Sequence, residues 1–175
     1  MSSLKLCIIS LLLNTVPTVL LYPVGTTFWS SQITTFTEFV YFTGITTWPS
    51  LTYTGYNVGA FLRSTVKILY LPPNVSNTLP RRSLNGMESL EYLKIGSSVT
   101  NLDRAFEYTR NIVNQDKSLA HLILCATTVV ACSNFNFPTT CKIYVPDSLV
   151  DDYKASSTWS SRSAYIYPMS ELVEP

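Results

Sequence analysis

The sequence predicts an α/β, β-rich fold, namely a short solenoid of parallel strands with irregular loops and a C-terminal capping helix. Two segments of the 175-residue chain align with each other, and the stretch after Pro146 has the pattern of a helix start. Hydrophobic residues make up 46% of the chain and charged residues only 13%. This composition is typical of a folded chain with a core and excludes a disordered one.

The aligned segments indicate an internal repeat. Leu69–Asn77 matches Leu93–Asn101 in its apolar residues and in its final asparagine. Shorter copies are Leu122–Leu124 and Ile143–Val145, and Gly44–Ile45 is predicted to be the first. Repeats of this length are typical of solenoids, in which each unit buries its apolar side against the next.

The alternation within each copy predicts which side chains are buried. Because successive side chains of a strand point to opposite faces, Tyr70 and Lys94 are expected to point outward between inward-facing neighbours. Short apolar pairs are expected on the wall opposite the strands: Ala60–Phe61, Ser83–Leu84 and Ala105–Phe106. The core positions predicted in this way are Leu71, Val75, Leu93, Ile95, Val99 and Phe106.

The C-terminal part predicts a cap. A helix from about Ser148 to Ala155 is expected, with the side chain of Asp147 or Ser148 capping its first turn. No further repeat strand is expected after Ile143–Val145, so this helix should cover the last copy. Its predicted inward residues are Leu149 or Val150, Tyr153 and Trp159, and its predicted exposed residues are Asp151, Asp152 and Lys154.

The repeats and the cap resemble one family. Ile33–Ile45, the two aligned copies and the Ala-Phe pairs look like BspA-like leucine-rich repeat proteins. Ile143–Lys154 together with Trp159 is similar to the closing segment of such proteins from gut bacteria and their phages. The resemblance covers about residues 33–172 and implies leucine-rich repeats over 33–146 and a cap over 147–175. It also implies a surface, adhesion or host-interaction role.

Residues 1–32 lie outside this resemblance. Lys5 precedes an uncharged run from Leu6 to Leu21, which is the pattern of an export signal. The alternative is a first strand within a β-rich segment from Val16 to Val24. The run is shorter than the roughly 20 residues that span a bilayer, and Asn14 and Pro17 interrupt it. No integral membrane span is expected.

The chain carries few residues for catalysis. His121 is its one histidine, and neither a phosphate loop nor a nucleophile motif occurs. The spacing of Cys7, Cys125, Cys132 and Cys141 leaves three interpretations open: core thiols, a Cys132–Cys141 disulfide in an exported protein, or a metal site. We predict no enzymatic activity, no cofactor and no bound metal.

The expected function is partner binding. A net charge of +1 argues against nucleic acid. The aromatic-rich stretch from Phe28 to Phe61 is expected to pack mainly inside, but Tyr53 and Tyr56 are expected at the surface. With Tyr70 and Lys94 they are the candidate residues for binding a protein or carbohydrate ligand. The predicted protein is a secreted or surface-displayed, non-catalytic binding and adhesion module. The alternative is a structural component of a bacteriophage particle, such as a fibre or tail-associated protein, present in the virion and assembled into a larger structure.

Overall fold

The computed structural model describes residues 34–41, 43–44, 46–48, 66–84, 87–107, 118–133 and 135–175. The predictions for residues 1–32, for Ala60–Phe61 and for Cys7 lie outside the described residues. The candidate binding residues Tyr53 and Tyr56 also lie outside them.

The described residues form one six-stranded, all-parallel sheet in which the strands follow chain order. Helix is scarce, and the one α-helix in these ranges is α1 (Val150–Ala155). The fold is therefore α/β with parallel strands, as predicted. The strands are β1 (Thr35–Phe36), β2 (Ile68–Tyr70), β3 (Tyr92–Ile95), β4 (His121–Leu124), β5 (Lys142–Val145) and β6 (Ile166–Pro168). Short 3₁₀ turns occupy Thr37–Tyr41, Asp147–Leu149, Ser160–Tyr165 and Met169–Glu171.

The strand register agrees with the predicted alignment of the copies. Leu69 lies opposite Leu93, which lies opposite Leu122, and this row continues through Ile143 to Ile166. All five side chains are buried in one hydrophobic core. The six core positions predicted from the alternation are also confirmed, because each is exposed by 2% or less.

A second line of backbone pairing runs opposite the sheet. Thr78, Asn101 and Ala131 form parallel bridges, so the copies are in contact on this side as well. The predicted inward pairs Ser83–Leu84 and Ala105–Phe106 are buried beside it. The predicted match of Asn77 with Asn101 is wrong by one residue, because Asn101 pairs with Thr78. The stretch from Val99 to Asn101 is one residue shorter than the stretch from Val75 to Thr78.

The first strand is not where the repeat pattern predicted it. Gly44 lies in a turn, whereas Thr35–Phe36 pairs with Ile68–Leu69. Phe36 fills the core position opposite Leu69, and its ring lies 4.8 Å from that of Phe39. Ile45, the other residue of the predicted first copy, lies outside the described residues.

The predicted capping helix is present. A 3₁₀ turn over Asp147–Leu149 leads into α1, and Tyr153 and Trp159 are fully buried. Leu149 and Val150 are partly buried against the core. The predicted exposure of Asp151, Asp152 and Lys154 is confirmed.

Two details of the cap differ from the prediction. No side chain caps either helical turn. The carboxylate of Asp147 instead accepts a hydrogen bond from the backbone N–H of Ser170 at 3.0 Å, and its hydrogen bonds with Ser170 lower the pKa of Asp147. The expectation that no strand follows β5 is wrong, because β6 pairs with it in parallel. An edge strand presents unpaired N–H and C=O groups, and β6 pairs with those on β5.

A buried arginine stabilises the cap. Arg162 donates a 2.7 Å hydrogen bond to the carbonyl of Pro138, and its guanidinium lies 5.3 Å and 5.1 Å from the ring centroids of Phe135 and Phe137. Burial lowers its pKa, which is compatible with an arginine that stays charged. This contact ties the residues after α1 to the loop before β5.

None of the three described cysteines forms a disulfide. Cys132 and Cys141 are buried in the core and Cys125 is partly buried, so the core-thiol interpretation holds for these residues. The predicted alternative of a Cys132–Cys141 disulfide is not realised. Within the described ranges, no helix has the length and apolar character that crossing a membrane requires.

Candidate partner-binding surface on the outer face of the sheet

The side of the sheet opposite the main core, here called the outer face, carries two rows of side chains. In parallel strands that pair in register, opposite residues point to the same side, so each row crosses several strands. The first row consists of Ile68, Tyr92, His121 and Lys142. The second row consists of Tyr70, Lys94, Ile123, Tyr144 and Tyr167.

Aromatic rings form a nearly continuous series along these rows. The ring centroids of Tyr92 and His121 lie 5.4 Å apart, and those of His121 and Tyr144 lie 5.9 Å apart with an interplanar angle of 8°. Tyr70 and Tyr167 extend the series at its two ends. The ring centroid of Tyr70 lies 6.0 Å from that of Tyr92, and the ring centroid of Tyr167 lies 5.8 Å from that of Tyr144. Neighbouring strands are about 4.8 Å apart, so aromatic side chains at successive positions meet at stacking distance.

Two lysines lie over rings of this series. The ammonium of Lys94 is 4.9 Å from the centroid of the Tyr70 ring, and that of Lys142 is 5.9 Å from the centroid of Tyr167. Both separations are within the range of cation–π attraction. The outer face therefore combines aromatic rings with positive charge.

The candidate residue Tyr70 points to the outer face as predicted, but it is buried, with an exposed fraction of only 6%. Lys94 lies over its ring, and Tyr92 packs beside it. Burial, together with the nearby charge of Glu174, raises the pKa of Tyr70. The expectation of an exposed tyrosine is therefore wrong, because alternation predicts the side of the strand and not what covers it.

The candidate residue Lys94 lies beside Tyr70 in the sheet register, so the structure brings these two predicted residues together. Its ammonium pairs with the carboxylate of Glu174 at 2.5 Å, and its side chain is 28% exposed. Lys94 is thus half-buried rather than exposed. Burial opposes its charge, but the bond to Glu174 outweighs this effect and raises the pKa of Lys94.

On the outer face, the Nδ1 atom of His121 is buried without a hydrogen-bond partner. Burial, followed by the positive charge of Lys142, lowers the pKa of His121. Burial also raises the pKa of Tyr92. His121 is stacked between two tyrosines, and such an environment favours the neutral imidazole and stacking contacts.

The accessible part of the outer face lies toward β6. Lys142 is exposed, and His121 and Tyr167 are partly exposed. Tyr92, His121, Tyr144 and Tyr167 were not among the predicted site residues. The alignment that identified Tyr70 and Lys94 also contained the signal for Tyr144, which occupies the same middle position of its copy.

The arrangement can bind through ring faces and cations. Among the residues that the structure describes, no group of three or more histidine, cysteine, aspartate or glutamate side chains is placed to hold a metal ion. The chain matches no protein-family model and no curated protein sequence.

Proposed function

We propose that this chain is a leucine-rich-repeat solenoid of the BspA-like type that acts as a non-catalytic binding module, secreted or displayed on a cell surface. The sequential order of six parallel strands supports the repeat assignment. The in-register row of core leucines and isoleucines supports it as well, because each copy contributes one residue to the row.

The observation that carries the binding role is the aromatic series of the outer face. A parallel sheet that only had to bury its core on one side could carry small polar residues on the other side. Here that side has stacked rings from Tyr92 to Tyr167, with Lys142 exposed beside them. Aromatic rings supply large contact areas and polar edges, which suits both sugar rings and protein side chains. The proposed partner is a protein or a carbohydrate.

The accessible contact residues in this proposal are Tyr167, Lys142 and His121. A ring of Tyr167 can stack on an apolar sugar face or a partner side chain, and Lys142 can pair with a carboxylate or a hydroxyl. No cofactor is needed for such contacts. A polyanion such as nucleic acid would require several unpaired cations along one face, whereas Lys94 of this face is already paired.

The test is binding of the purified chain to immobilised mucin and to a panel of neutral polysaccharides, measured by biolayer interferometry. Tyr167→Ala is expected to weaken binding about fivefold to tenfold, since an aromatic contact contributes about 1 kcal/mol. Lys142→Ala should also weaken it. Lys154→Ala is the matched control, because this exposed lysine lies on α1 and not on the outer face.

Equal binding by the wild type, Tyr167→Ala and Lys142→Ala would overturn the assignment of the binding surface. The alternative class, a structural component of a phage particle, predicts a different result. In that case the molecular mass measured by light scattering would rise with protein concentration, in the wild type and in Tyr167→Ala alike. The chain would bind none of the immobilised partners.

A further inference from the structure

The segment after β6, residues 169–175, lies on the outer face of the sheet. Met169 and Leu172 pack against the buried cluster formed by Tyr70, Tyr92, Ile123 and Tyr144. Farther along, Glu174 reaches Lys94, which precedes it by 80 residues. The segment therefore passes from β6 back to β3, across the strands between them.

The contacts of this segment follow the alternation of an extended chain. Leu172 contacts the cluster and Glu174 contacts Lys94, whereas Val173 between them is 83% exposed. Residues two apart on an extended segment point to the same side. The outer face thus holds an apolar side chain followed two positions later by a carboxylate.

The segment lies at the surface and is only partly covered. None of its residues is buried. The Lys94–Glu174 pair is partly open to solvent, with half of the glutamate side chain exposed, and pairs of this kind contribute about 0–1 kcal/mol. Beneath it, Tyr70 and Tyr144 are buried and packed on the sheet. A buried, well-packed surface therefore carries an occupant that is itself largely exposed.

We propose that the strip of Tyr70, Lys94, Ile123 and Tyr144 binds an extended peptide segment of a partner protein, and that the C-terminal segment is an internal mimic of it. The peptide carries a branched apolar residue followed two positions later by a carboxylate. This inference rests on the proposed binding function and specifies the chemical character of its protein partner. The apolar residue replaces Leu172, and the carboxylate replaces Glu174 on Lys94.

The buried hydroxyl of Tyr92 supports this assignment. Burial raises the pKa of this hydroxyl, and the neighbouring Tyr70 and then the charge of Glu174 add to the effect, so the hydroxyl lies close to that carboxylate. A peptide that places a carboxylate or carbonyl oxygen slightly deeper would accept a hydrogen bond from this hydroxyl. A partner peptide can in this way make one contact that the internal segment does not make.

The internal segment competes with any partner at a high effective concentration. A tethered occupant is present at about millimolar effective concentration, so the intact chain should bind free peptide weakly. Substitutions that remove the contacts of Leu172 and Glu174 should release the segment from the strip and strengthen binding of the free peptide.

The experiment uses the full chain and a fluorescein-labelled peptide, Met-Ser-Glu-Leu-Val-Glu-Pro, in fluorescence anisotropy. The variant L172A/E174Q is expected to bind this peptide at least tenfold more tightly than the wild type. The matched control is E171Q/V173A, which makes the same kind of changes at two exposed neighbours and should bind like the wild type. Adding K94M to L172A/E174Q should weaken binding about threefold to fivefold.

Circular dichroism melting verifies that each variant is folded, and E174Q alone provides a milder release if the double variant unfolds. A folded L172A/E174Q or E174Q chain that binds the peptide no more tightly than the wild type would overturn the proposal. Dimers of the wild type that L172A/E174Q abolishes would also overturn it, because a second copy would then be the occupant. Neither result affects the mucin and polysaccharide test, which depends on Tyr167 and Lys142.

Discussion

The indole N–H of Trp159 donates a 2.7 Å hydrogen bond to the carbonyl of Val130. The N–H of Val130 in turn donates to the hydroxyl of Tyr153 at 3.0 Å. Val130 adjoins Ala131, the last residue of the bridge line opposite the sheet. Both backbone polar groups of Val130 are therefore satisfied by side chains of the C-terminal part, next to the end of the bridge line.

Trp159→Ala is expected to lower the free energy of unfolding by about 3–5 kcal/mol, because the indole is fully buried against Tyr153 and Phe135. Trp159→Phe keeps a ring but loses the hydrogen bond to Val130, and should cost about 1–3 kcal/mol. Urea unfolding followed by circular dichroism measures both. Lys154→Ala serves as the surface control. A loss below about 1 kcal/mol for Trp159→Ala would show that the cap does not stabilise the fold.

Ser83→Ala is expected to raise the free energy of unfolding by about 1 kcal/mol, because the hydroxyl of Ser83 is buried with no hydrogen-bond partner. Ala105 occupies the equivalent position in the next copy. Both residues directly follow an arginine of positive φ, Arg82 before Ser83 and Arg104 before Ala105. The bond from the Trp48 indole to the carbonyl of Ser83 remains available in the variant.

The control for this prediction is Ser98→Ala. The hydroxyl of Ser98 lies 2.7 Å from the carbonyl oxygens of both Pro73 and Val75. Its removal should therefore destabilise the protein by about 1 kcal/mol. Equal effects of the two substitutions in urea unfolding would contradict the assignment of Ser83 as an unsatisfied group.

Cys132 and Cys141 are expected to resist thiol reagents until the protein unfolds. Both are buried, and burial raises the pKa of the Cys141 thiol to about 12, so little of the reactive thiolate forms. In a Cys7→Ser background, a chromogenic disulfide reagent should modify at most Cys125 in the native protein. It should modify all three remaining thiols in guanidinium without reductant. Two thiols that stay unreactive in guanidinium would instead indicate a disulfide.

Stability should fall as the pH is lowered below about 6.5, the ordinary pKa of histidine. Burial and the charge of Lys142 lower the pKa of His121 in the folded state. The unfolded chain therefore binds a proton at a higher pH than the folded chain, and protonation favours unfolding. Urea unfolding at pH 7.5 and pH 5.5 should show this loss, and His121→Gln should reduce it.

The chain has one histidine, so a single imidazole resonance reports its titration directly by NMR. Lys142→Met should move the midpoint of that titration upward, toward the ordinary value. A wild-type midpoint at or above the ordinary value would contradict the predicted pH dependence.

The sequence alone was sufficient for the register of β2 to β5 and for the side of the sheet that most of their residues occupy. The row from Leu69 to Ile143 follows from aligning short apolar alternations, because hydrophobic periodicity is a local property of each strand. The burial of Tyr153 follows in the same way from an apolar helix face beside polar residues.

The covering of the outer face was decided only by the tertiary structure. Alternation places Tyr70 and Lys94 on that face, but their burial depends on Glu174 and Leu172, which come from the other end of the described chain. The same holds for Arg162, whose hydrogen bonds go to carbonyls about 25 residues earlier. Such contacts leave no periodic signal in the sequence.

The two misplaced strands have the same physical origin. β1 is defined by Phe36 packing opposite Leu69, and β6 by its pairing with the open edge of β5. Each pairs with only one neighbouring strand, and neither lies in a segment that aligns with the two matching copies. The sequence by itself determined the alignment of β2 to β5, their inward residues and the C-terminal helix. The tertiary structure decided where the sheet begins and ends and which outer residues stay accessible, because these depend on backbone pairing and packing between distant segments.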